Sequence, residues 1–381
     1  MSISARPAYD AVVAGYLGVD LAPGFSPAGA ASHASAGGLL RPGRLVEVRG
    51  LGLSLGGAVA NTGLAMRRFG LHVALVGKVG CDALGDQAAA ILRAHDADAG
   101  LRRDACGRTA YGIVIAPPGT DRIFLEDPGC NATFCAADVD YRIVARSRLF
   151  HFGYPTLMKA MYSGGGAELC RMLRRVRRLG VTTSLDVTLP DLGGPAGRVD
   201  WAKVLAAALP EVDVFMPSIE ELLAMLEPGE HARVVRRARG GDPVDHVPER
   251  TFRRLGERVL GMGVKVLAIK AAHRGAYLCT GEVRLPRLAL PEPGWSRREE
   301  WAEPVPVERR RMRNSCGAGD AAVAGFLSAM LSGETLERAG RLAMIAGRDS
   351  LYAGDALGGL RSWAAMRRDL SRPAAAARRN R

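Results

Sequence analysis

Short runs of apolar residues alternate along this chain with longer segments of helical periodicity, and this alternation constrains the fold more than any other sequence feature. Strands of a parallel sheet are covered on both faces, so they read as nearly continuous apolar runs. The pattern predicts an α/β fold with a mostly parallel sheet flanked by helices. The predicted strands are residues 11–15, 73–76, 149–153, 182–185, 212–215 and 266–269, and the predicted helices are residues 58–69, 86–94, 166–179, 199–208, 219–226, 251–260 and 318–331.

Two stretches interrupt this alternation and predict a small β appendage over one edge of the sheet. Residues 21–50 are rich in Gly, Pro and Ser. Residues 112–116 and 122–125 alternate around a turn-forming segment, which indicates a hairpin. A third stretch, residues 227–248, is polar with Pro and Gly and is predicted to be a surface insertion.

One domain, residues 1–372, accounts for this pattern, with the appendage drawn from about residues 20–54 and 106–127. Residues 373–381 contain an Ala run followed by Arg-Arg-Asn-Arg. We expect this basic tail to be frayed.

The charge balance is strongly basic, with 52 Lys and Arg against 39 Asp and Glu and a net charge of +13. Only five of the basic residues are lysines, and few aromatic residues lie among the scattered arginines. A nucleic-acid-binding surface more often interleaves basic and aromatic residues along one element. We therefore expect no nucleic-acid partner, because an anionic small substrate or a compositional bias toward Arg and Ala explains the charge at least as well.

The sequence also gives no sign of a membrane or secreted protein. No apolar stretch approaches the roughly 20 residues of a membrane helix, and the first ten residues lack the pattern of a signal peptide. The seven cysteines include no Cys-x-x-Cys pair and no zinc-ligand spacing. We expect a cytoplasmic protein with reduced thiols and no membrane association.

A small-residue segment leading into the predicted helix at 318–331 carries the strongest chemical signal. Its sequence is Asn-Ser-Cys-Gly-Ala-Gly-Asp, residues 314–320. Small residues let backbone N–H groups approach a ligand, and a helix N-terminus attracts anions, which predicts a phosphate site. Asp320 would repel a phosphate unless it accepts a proton from an attacking hydroxyl. The alternative is an ordinary Gly-rich turn in which Asp320 favours the helix dipole.

Three further segments carry polar or glycine signals. Gly56 and Gly57 stand at a predicted helix start, where paired glycines let a polyhydroxy ligand touch the backbone and Asn61 offers a donor and an acceptor. Residues 77–85 form a Gly-punctuated loop after a strand, and Asp20 follows the first strand. A tight turn with a partly buried Asn61 is the alternative for the first of these.

Taken in order along the chain, these motifs resemble those of the ribokinase-like (PfkB) carbohydrate kinase family. Two glycines, three residues and an Asn match the family's first signature, and Gly-Ala-Gly-Asp at 317–320 matches its second. The resemblance covers nearly the whole chain and implies a doubly wound α/β domain with a small β lid. It implies that Asp320 is the general base and that the backbone of Gly317, Ala318 and Gly319 forms the anion hole.

The resemblance also implies which residues bind the two substrates. Asp20, Gly56, Gly57 and Asn61 would hold sugar hydroxyls, and Asn131, which follows the lid hairpin, would touch the sugar or only shape a turn.

ATP would lie against the loop at residues 270–275, with Lys270, Arg274 and Gly275, and Asp186 would face it or cap the following loop. Mg²⁺ would bridge the phosphates.

The chain departs from the family pattern at several positions. Asn314-Ser315 stands where the family has Asp-Thr, and Ser218 stands where an Asn precedes the metal-shell Glu, here Glu221. Ser-x-x-Glu is also a helix capping box, which is an equal alternative for Ser218. Ala272 replaces a family Gly in the nucleotide loop.

The resemblance leads to an ATP-dependent sugar kinase that uses a small sugar, ATP and Mg²⁺. A nucleoside kinase of the same family and a catalytically weak, ligand-binding regulatory homologue remain the alternatives. Pairing of lid edges between two subunits would make a homodimer.

Overall fold

The central element is a nine-stranded sheet in which the first strand lies third from one edge. The structure is a computed structural model that describes residues 7–25, 42–43, 45–116, 123–291, 294–313 and 315–370. The strand order of the sheet is β13-β12-β11-β10-β9-β8-β1-β4-β5. The strands from β11 through β5 in this order run parallel, and β12 and β13 are antiparallel additions at one edge. The strands of the chain are β1 (Tyr9–Gly15), β2 (Gly18–Pro23), β3 (Leu51–Gly56), β4 (Val73–Gly80), β5 (Gly100–Asp104), β6 (Tyr111–Ile115), β7 (Ile123–Asp127), β8 (Ser147–Gly153), β9 (Thr182–Asp186), β10 (Val214–Phe215), β11 (Val266–Lys270), β12 (Ala276–Thr280) and β13 (Glu299–Ala302).

Helices cover both faces of this sheet. They are α1 (Gly57–Arg68), α2 (Ala83–Ala94), α3 (Tyr141–Ala145), α4 (Lys159–Arg178), α5 (Trp201–Ala208), α6 (Ile219–Leu226), α7 (Pro228–Ala238), α8 (Glu249–Gly261), α9 (Ala318–Leu331), α10 (Leu336–Ser350) and α11 (Trp363–Leu370). Alternate residues of β1 belong to different cores: Val12 packs with α3 to α8, and Val13 packs with α1, α2 and α9 to α11. The predicted doubly wound, mostly parallel sheet flanked by helices is confirmed.

A second, four-stranded sheet with the order β3-β2-β6-β7 forms the lid. Strand β2 pairs antiparallel with β3 and parallel with β6, and β6 and β7 form the predicted hairpin. The predicted turn of this hairpin at 117–121 and most of the Gly-rich stretch, residues 26–41, lie outside the described residues, as do Asn314 and the predicted tail.

The segment predicted as a surface insertion, residues 227–248, is partly helical. Pro228 begins helix α7, where a proline at the first position costs no hydrogen bond, and His231 and Val234 bury one face of the helix. From Ala167 onward, the predicted helix at 166–179 is the straight part of α4. Ahead of it, glycines 164–166 adopt positive φ angles and kink the chain.

The carboxyl ends of the parallel strands meet the start of α9 at one edge of the sheet, where an open α/β sheet binds its ligands. Gly153 at the end of β8 pairs with Asp186 at the end of β9, and Lys270 ends β11. No helix in the described ranges combines the length and apolar character needed to cross a membrane.

Candidate active site

Asp320 lies in the first turn of α9 and is almost completely buried, with 2% of its surface exposed. The helix begins after Gly317, which has a φ of +74°. A side chain at Gly317 would come within 2.4 Å of the Cβ atom of Ala356. This position therefore requires glycine for its conformation and for space, and the resulting turn brings Asp320 against α1.

Three side chains hold the carboxylate of Asp320. Asn61 in α1 donates to Oδ2 from Nδ2 at 3.0 Å, and the hydroxyl of Tyr154, which follows β8, donates to the same oxygen at 2.8 Å. The hydroxyl of Thr62 lies 3.4 Å from Oδ1. Two donors thus converge on Oδ2, and among the residues that the structure describes Oδ1 has one long contact.

The pKa of Asp320 reflects opposing effects of its surroundings. Burial raises the pKa above the ordinary aspartate value. The hydrogen bonds from Tyr154, Asn61 and Thr62 and the positive charge of Lys270 act in the opposite direction. A raised pKa suits a general base, because it strengthens the affinity of the carboxylate for a proton.

Lys270 and Asp186 form a buried ion pair at the strand ends. The distance between Lys270 Nζ and Asp186 Oδ1 is 2.7 Å. Burial raises the pKa of Asp186 to about 7, although Lys270 opposes this shift. Burial alone would lower the pKa of Lys270, but the carboxylates of Asp186 and Glu221 offset it, and the pKa lies above the ordinary lysine value.

The Lys270 ammonium also faces the start of α9. A Cβ atom at Gly319 would have Nζ at 3.8 Å as its nearest neighbour, so the ammonium lies within van der Waals range of this glycine. Within the described part of the chain, the amides of Gly319 and Asp320 have no acceptor, whereas the Ala318 amide contacts the Ser315 carbonyl at 3.4 Å. Unpaired amides at a helix N-terminus together with a lysine can bind a phosphate.

The lid places two carboxylates on one face of its sheet. Ser54, Asp20, Gly112 and Glu126 lie side by side on the four strands. Gly112 leaves room between the two acids, because a Cβ atom there would lie 3.2 Å from Asp20 Oδ1 and 2.7 Å from Glu126 Oε2. A side chain at Gly56 would likewise collide with Asp20. Gly56 and Gly112 thus leave space for a polar recess around Asp20 and Glu126, which we call the lid cradle.

Both lid carboxyls are protonated more readily than ordinary ones. Burial, followed by the charge of Asp320, raises the pKa of Asp20 to about 6. Burial also raises the pKa of Glu126 to about 7, against the hydrogen bond that Tyr16 donates to it. Asp20 lies against Gly56, which directly precedes α1, and Asn61 of α1 donates to Asp320, so both carboxylates adjoin the start of this helix.

The structure assigns several predicted binding residues to internal contacts. The amide of Asn131 donates to the Leu17 carbonyl at 2.8 Å and accepts from its N–H at 3.3 Å, and the residue is fully buried. This arrangement favours a bracing role over a sugar contact. Gly57, with φ +85°, lets the backbone approach the Tyr16 carbonyl closely, and Asn61 faces Asp320 directly.

Two residues of the predicted nucleotide loop, Arg274 and Gly275, also have structural partners. Arg274 donates to the carbonyls of Val244 and Val247 at 2.8 and 2.6 Å, which favours anchoring of that loop over a contact with ATP. Gly275 has a φ of +96°, and a side chain there would lie 2.1 Å from the Ala302 carbonyl oxygen, so it permits packing against β13.

Ser218 and Glu221 form a complete capping box at the start of α6. The Ser218 N–H donates to Glu221 Oε2 at 2.6 Å, and the Glu221 N–H donates to the Ser218 hydroxyl at 3.2 Å. This geometry favours the capping alternative for Ser218. The backbone of Ser218 forms an isolated parallel β-bridge with Lys270. This pairing brings the start of α6, and with it the carboxylate of Glu221, toward the ion pair of Lys270 and Asp186.

Sequence reasoning did not single out Tyr154, Thr62 or Glu126. The position of Tyr154 directly after the predicted strand at 149–153 was an available signal, because polar residues at the carboxyl ends of parallel strands collect at one edge. Thr62 adjoins Asn61, and Glu126 extends one of the hairpin strands.

Comparisons with known proteins agree with this geometry. A family model described as pfkB family carbohydrate kinase matches residues 35–350. The chain is 24% identical to an uncharacterized sugar kinase of Archaeoglobus fulgidus over 73% of this chain and 91% of that protein. It is 30% identical to Fructokinase-1 of Oryza sativa subsp. japonica, over 40% of this chain and 47% of that protein.

The fold is also found among solved structures. A putative Ribokinase II from E. coli, solved in complex with ATP and Mg²⁺, superposes with a TM-score of 0.67 at 18% sequence identity. The match covers 96% of this chain and 100% of that chain. At this level of identity the likeness concerns the fold.

Proposed function

The chain belongs to the pfkB family of carbohydrate kinases, and on that premise we propose that it transfers the γ-phosphoryl group of ATP to a hydroxyl of a sugar or sugar-like alcohol. The observation that carries this proposal is the buried carboxylate of Asp320, which lies at the start of α9 between the lid cradle and the Lys270 ammonium. A base in this position adjoins both an acceptor site and a phosphate site.

In the proposed reaction, Asp320 accepts the proton of the acceptor hydroxyl as its oxygen attacks the γ-phosphorus. The new O–P bond forms as the bond between the γ-phosphorus and the bridging oxygen breaks, and ADP leaves with that electron pair. Oδ1 is the oxygen suited to accept the proton, because Asn61 and Tyr154 already donate to Oδ2. Positioning and charge stabilisation dominate phosphoryl transfer.

The amides of Gly319 and Asp320, the α9 dipole and the Lys270 ammonium would stabilise negative charge on the transferred group. These groups are fixed in the fold before any ligand binds. In this proposal the hole predicted at Gly317, Ala318 and Gly319 is centred one residue further into the helix, because the Ala318 amide already contacts Ser315.

The residues present fit a Mg²⁺ ion that is held mainly by phosphates and water. Across the described ranges, no group of three or more His, Cys, Asp and Glu side chains is arranged to hold a metal ion. Mg²⁺ usually keeps several waters and takes only one or two protein carboxylates. Glu221 is suited to the water shell, since Ser218 holds only its Oε2. When bound, Mg²⁺ would neutralise charge on the phosphates.

We also propose that two copies of the chain associate through the lid. Leu51, Leu53 and Leu125 lie on the face opposite Asp20 and are 62%, 41% and 49% exposed. An apolar sheet face of this kind is a candidate for contact with a second copy.

Light scattering after size-exclusion chromatography tests the dimer. We expect a dimeric mass for the wild type and for Leu192→Lys, a matched change in an exposed leucine outside the lid. Leu53→Lys should shift the mass to that of a monomer, because it places a charge in the contact. A monomeric wild type at micromolar concentration would refute this proposal.

The kinase proposal is tested by ATP consumption against a panel of sugars, sugar acids, sugar phosphates, polyols and nucleosides. We expect turnover with one sugar-like class and a loss of about 10²-fold or more in Asp320→Asn. Asp86→Asn, an exposed aspartate of α2, is the matched control and should retain full activity. Equal turnover in wild type and Asp320→Asn would show that the base is another group, and turnover with nucleosides alone would favour the nucleoside kinase alternative.

A further inference from the structure

The hydroxyl of Tyr154 forms a direct hydrogen bond with the proposed base. It donates its proton to Asp320 Oδ2 at 2.8 Å, the shortest contact of that carboxylate. A phenol has only one proton to donate, so this bond defines the orientation of the hydroxyl.

The backbone of Tyr154 is held in a conformation that few residues adopt. Its φ and ψ angles are +65° and +43°, in the left-handed region, and Pro155 follows it. Such a conformation is unfavourable for a residue with a side chain and is found mainly where the surrounding structure enforces it. Here the Tyr154 N–H donates to the Asp186 carbonyl at 3.2 Å, and its carbonyl accepts from Leu157 at 3.1 Å. These contacts aim the ring at Asp320.

Two roles are compatible with one hydrogen bond between a tyrosine and a base. The tyrosine could occupy the place of the substrate hydroxyl and leave when substrate binds, or it could stay and hold the carboxylate. The distribution of donors favours the second role. Tyr154 and Asn61 both donate to Oδ2, whereas within the described part of the chain Oδ1 has only the 3.4 Å contact with Thr62. A substrate hydroxyl can therefore approach Oδ1 without displacing the tyrosine.

The charges around Asp320 explain why such a donor is needed. Burial disfavours the carboxylate, and the negative charges of Asp20 on the lid and Asp186 on β9 face the same space. Lys270 on β11 is the opposing cation, and Asn61 and Thr62 on α1 are the other donors. Glu221 on α6 also acts on the Tyr154 hydroxyl.

We propose that Tyr154 is a positioning residue that holds Oδ2 of Asp320, keeps this carboxylate ionised and leaves Oδ1 to accept the proton of the substrate. This inference rests on the proposed kinase function, in which Asp320 is the base. It adds a residue that sets the pH range and the orientation of that base.

Tyr154→Phe removes the hydroxyl and keeps the ring. We expect kcat to fall about 10-fold, because a hydrogen bond to a charged group is lost. The acid limb of the kcat profile should move to higher pH by about one unit, with the KM for ATP unchanged. Tyr162→Phe, which removes the hydroxyl of a tyrosine packed on Trp201, is the matched control and should match the wild type.

A direct titration of Asp320 gives a readout that does not require turnover. In protein labelled with ¹³C at the aspartate carboxyl groups, the Asp320 signal is identified by its loss in Asp320→Asn. Its midpoint should be higher by about one unit in Tyr154→Phe than in the wild type. Circular dichroism checks that each variant is folded.

The results separate the two proposals. An equal Asp320 midpoint in wild type and Tyr154→Phe overturns the role of Tyr154, whether or not an acceptor has been found. A lower acceptor KM and higher kcat in Tyr154→Phe overturns it in favour of the displaced tyrosine. Equal activity of the wild type and Asp320→Asn instead refutes the base assignment of the kinase proposal.

Discussion

We call the start of α9, helix α1 and the carboxyl ends of β8, β9 and β11 the floor of the site. The floor and the lid both carry carboxylates, but they differ in the number of hydrogen-bond donors around them. On the floor, the Asp320 carboxylate is held by Asn61 and Tyr154, with Thr62 nearby. On the lid, Asp20 has no hydrogen-bond donor among the described residues, and Glu126 has only Tyr16. The floor is built on core strands and helices, whereas the lid is a four-stranded sheet with an exposed apolar face.

This difference indicates what each region still lacks. A carboxylate that is already surrounded by donors needs nothing from the substrate to be oriented, which is the condition for charge stabilisation without reorganisation. Half-buried carboxylates with few or no hydrogen-bond donors are costly, and hydroxyl groups of a sugar could supply the missing donors. The lid is therefore the region where binding energy and acceptor selectivity should arise, and the floor is the region where the chemistry is fixed in advance.

The largest effect is expected from the floor, in Lys270→Met. Removing one partner of a buried ion pair leaves Asp186 unpaired, and the free energy of unfolding should fall by about 3–5 kcal/mol. The loss should be greater at pH 8 than at pH 6, because burial already raises the pKa of Asp186 to about 7 and the unpaired carboxyl can be protonated at the lower pH. Urea denaturation at both pH values measures this difference.

Lys265→Met is the matched control for Lys270→Met. Lys265 Nζ pairs with the buried Asp213 at 2.6 Å, just before the start of the same strand. The Lys265→Met variant should also be less stable than the wild type. Only Lys270→Met should raise the KM for ATP and lower kcat, with kcat falling by about 10²-fold. If both variants keep the wild-type kinetics with ATP, Lys270 is a structural ion-pair partner and the floor has no preformed phosphate site.

The sequence predicts the floor better than the lid for a physical reason. Buried parallel strands must be apolar along their whole length, so β1, β4, β8 and β11 are visible as apolar runs. The segment at 317–320 is readable from the sequence because the proposed base and the proposed anion site both depend on one short stretch of the backbone. The segment 21–50 has no such periodicity, and only the hairpin of the lid is visible as alternation.

Residue roles that depend on contacts between distant segments were not readable from local patterns. The family resemblance implies ligand contacts for Arg274 and either a sugar contact or a turn role for Asn131, whereas the contacts that favour internal roles join them to backbone segments 27 to 30 and 114 residues away. Tyr154 was missed because its left-handed backbone, ahead of a proline, follows from tertiary contacts rather than from local propensity.

A smaller effect is expected from the lid, in Glu126→Gln, and it should have the opposite sign on stability. Burial raises the pKa of Glu126 to about 7, so the folded protein binds this proton more tightly than the unfolded chain does. The stability of the wild type should therefore fall as the pH rises from about 4.5 to about 7 and level off above that value. Glu126→Gln removes this dependence and should be more stable than the wild type at pH 8, by about 1–2 kcal/mol after allowance for solvent screening, but not at pH 5.

The same substitution should weaken acceptor binding, because a neutral amide replaces a charged acceptor of hydroxyl protons. We expect the acceptor KM to rise about 10-fold at pH 8, with the KM for ATP unchanged. Glu47→Gln, at an exposed position ahead of β3, is the control and should change neither quantity. A Glu126→Gln variant that is less stable than the wild type at pH 8 would show that the lid carboxylate is held by donors as firmly as Asp320 is. In that case selectivity for the acceptor would have to come from the shape of the lid cradle, since the lid and the floor would be equally organised before substrate binds.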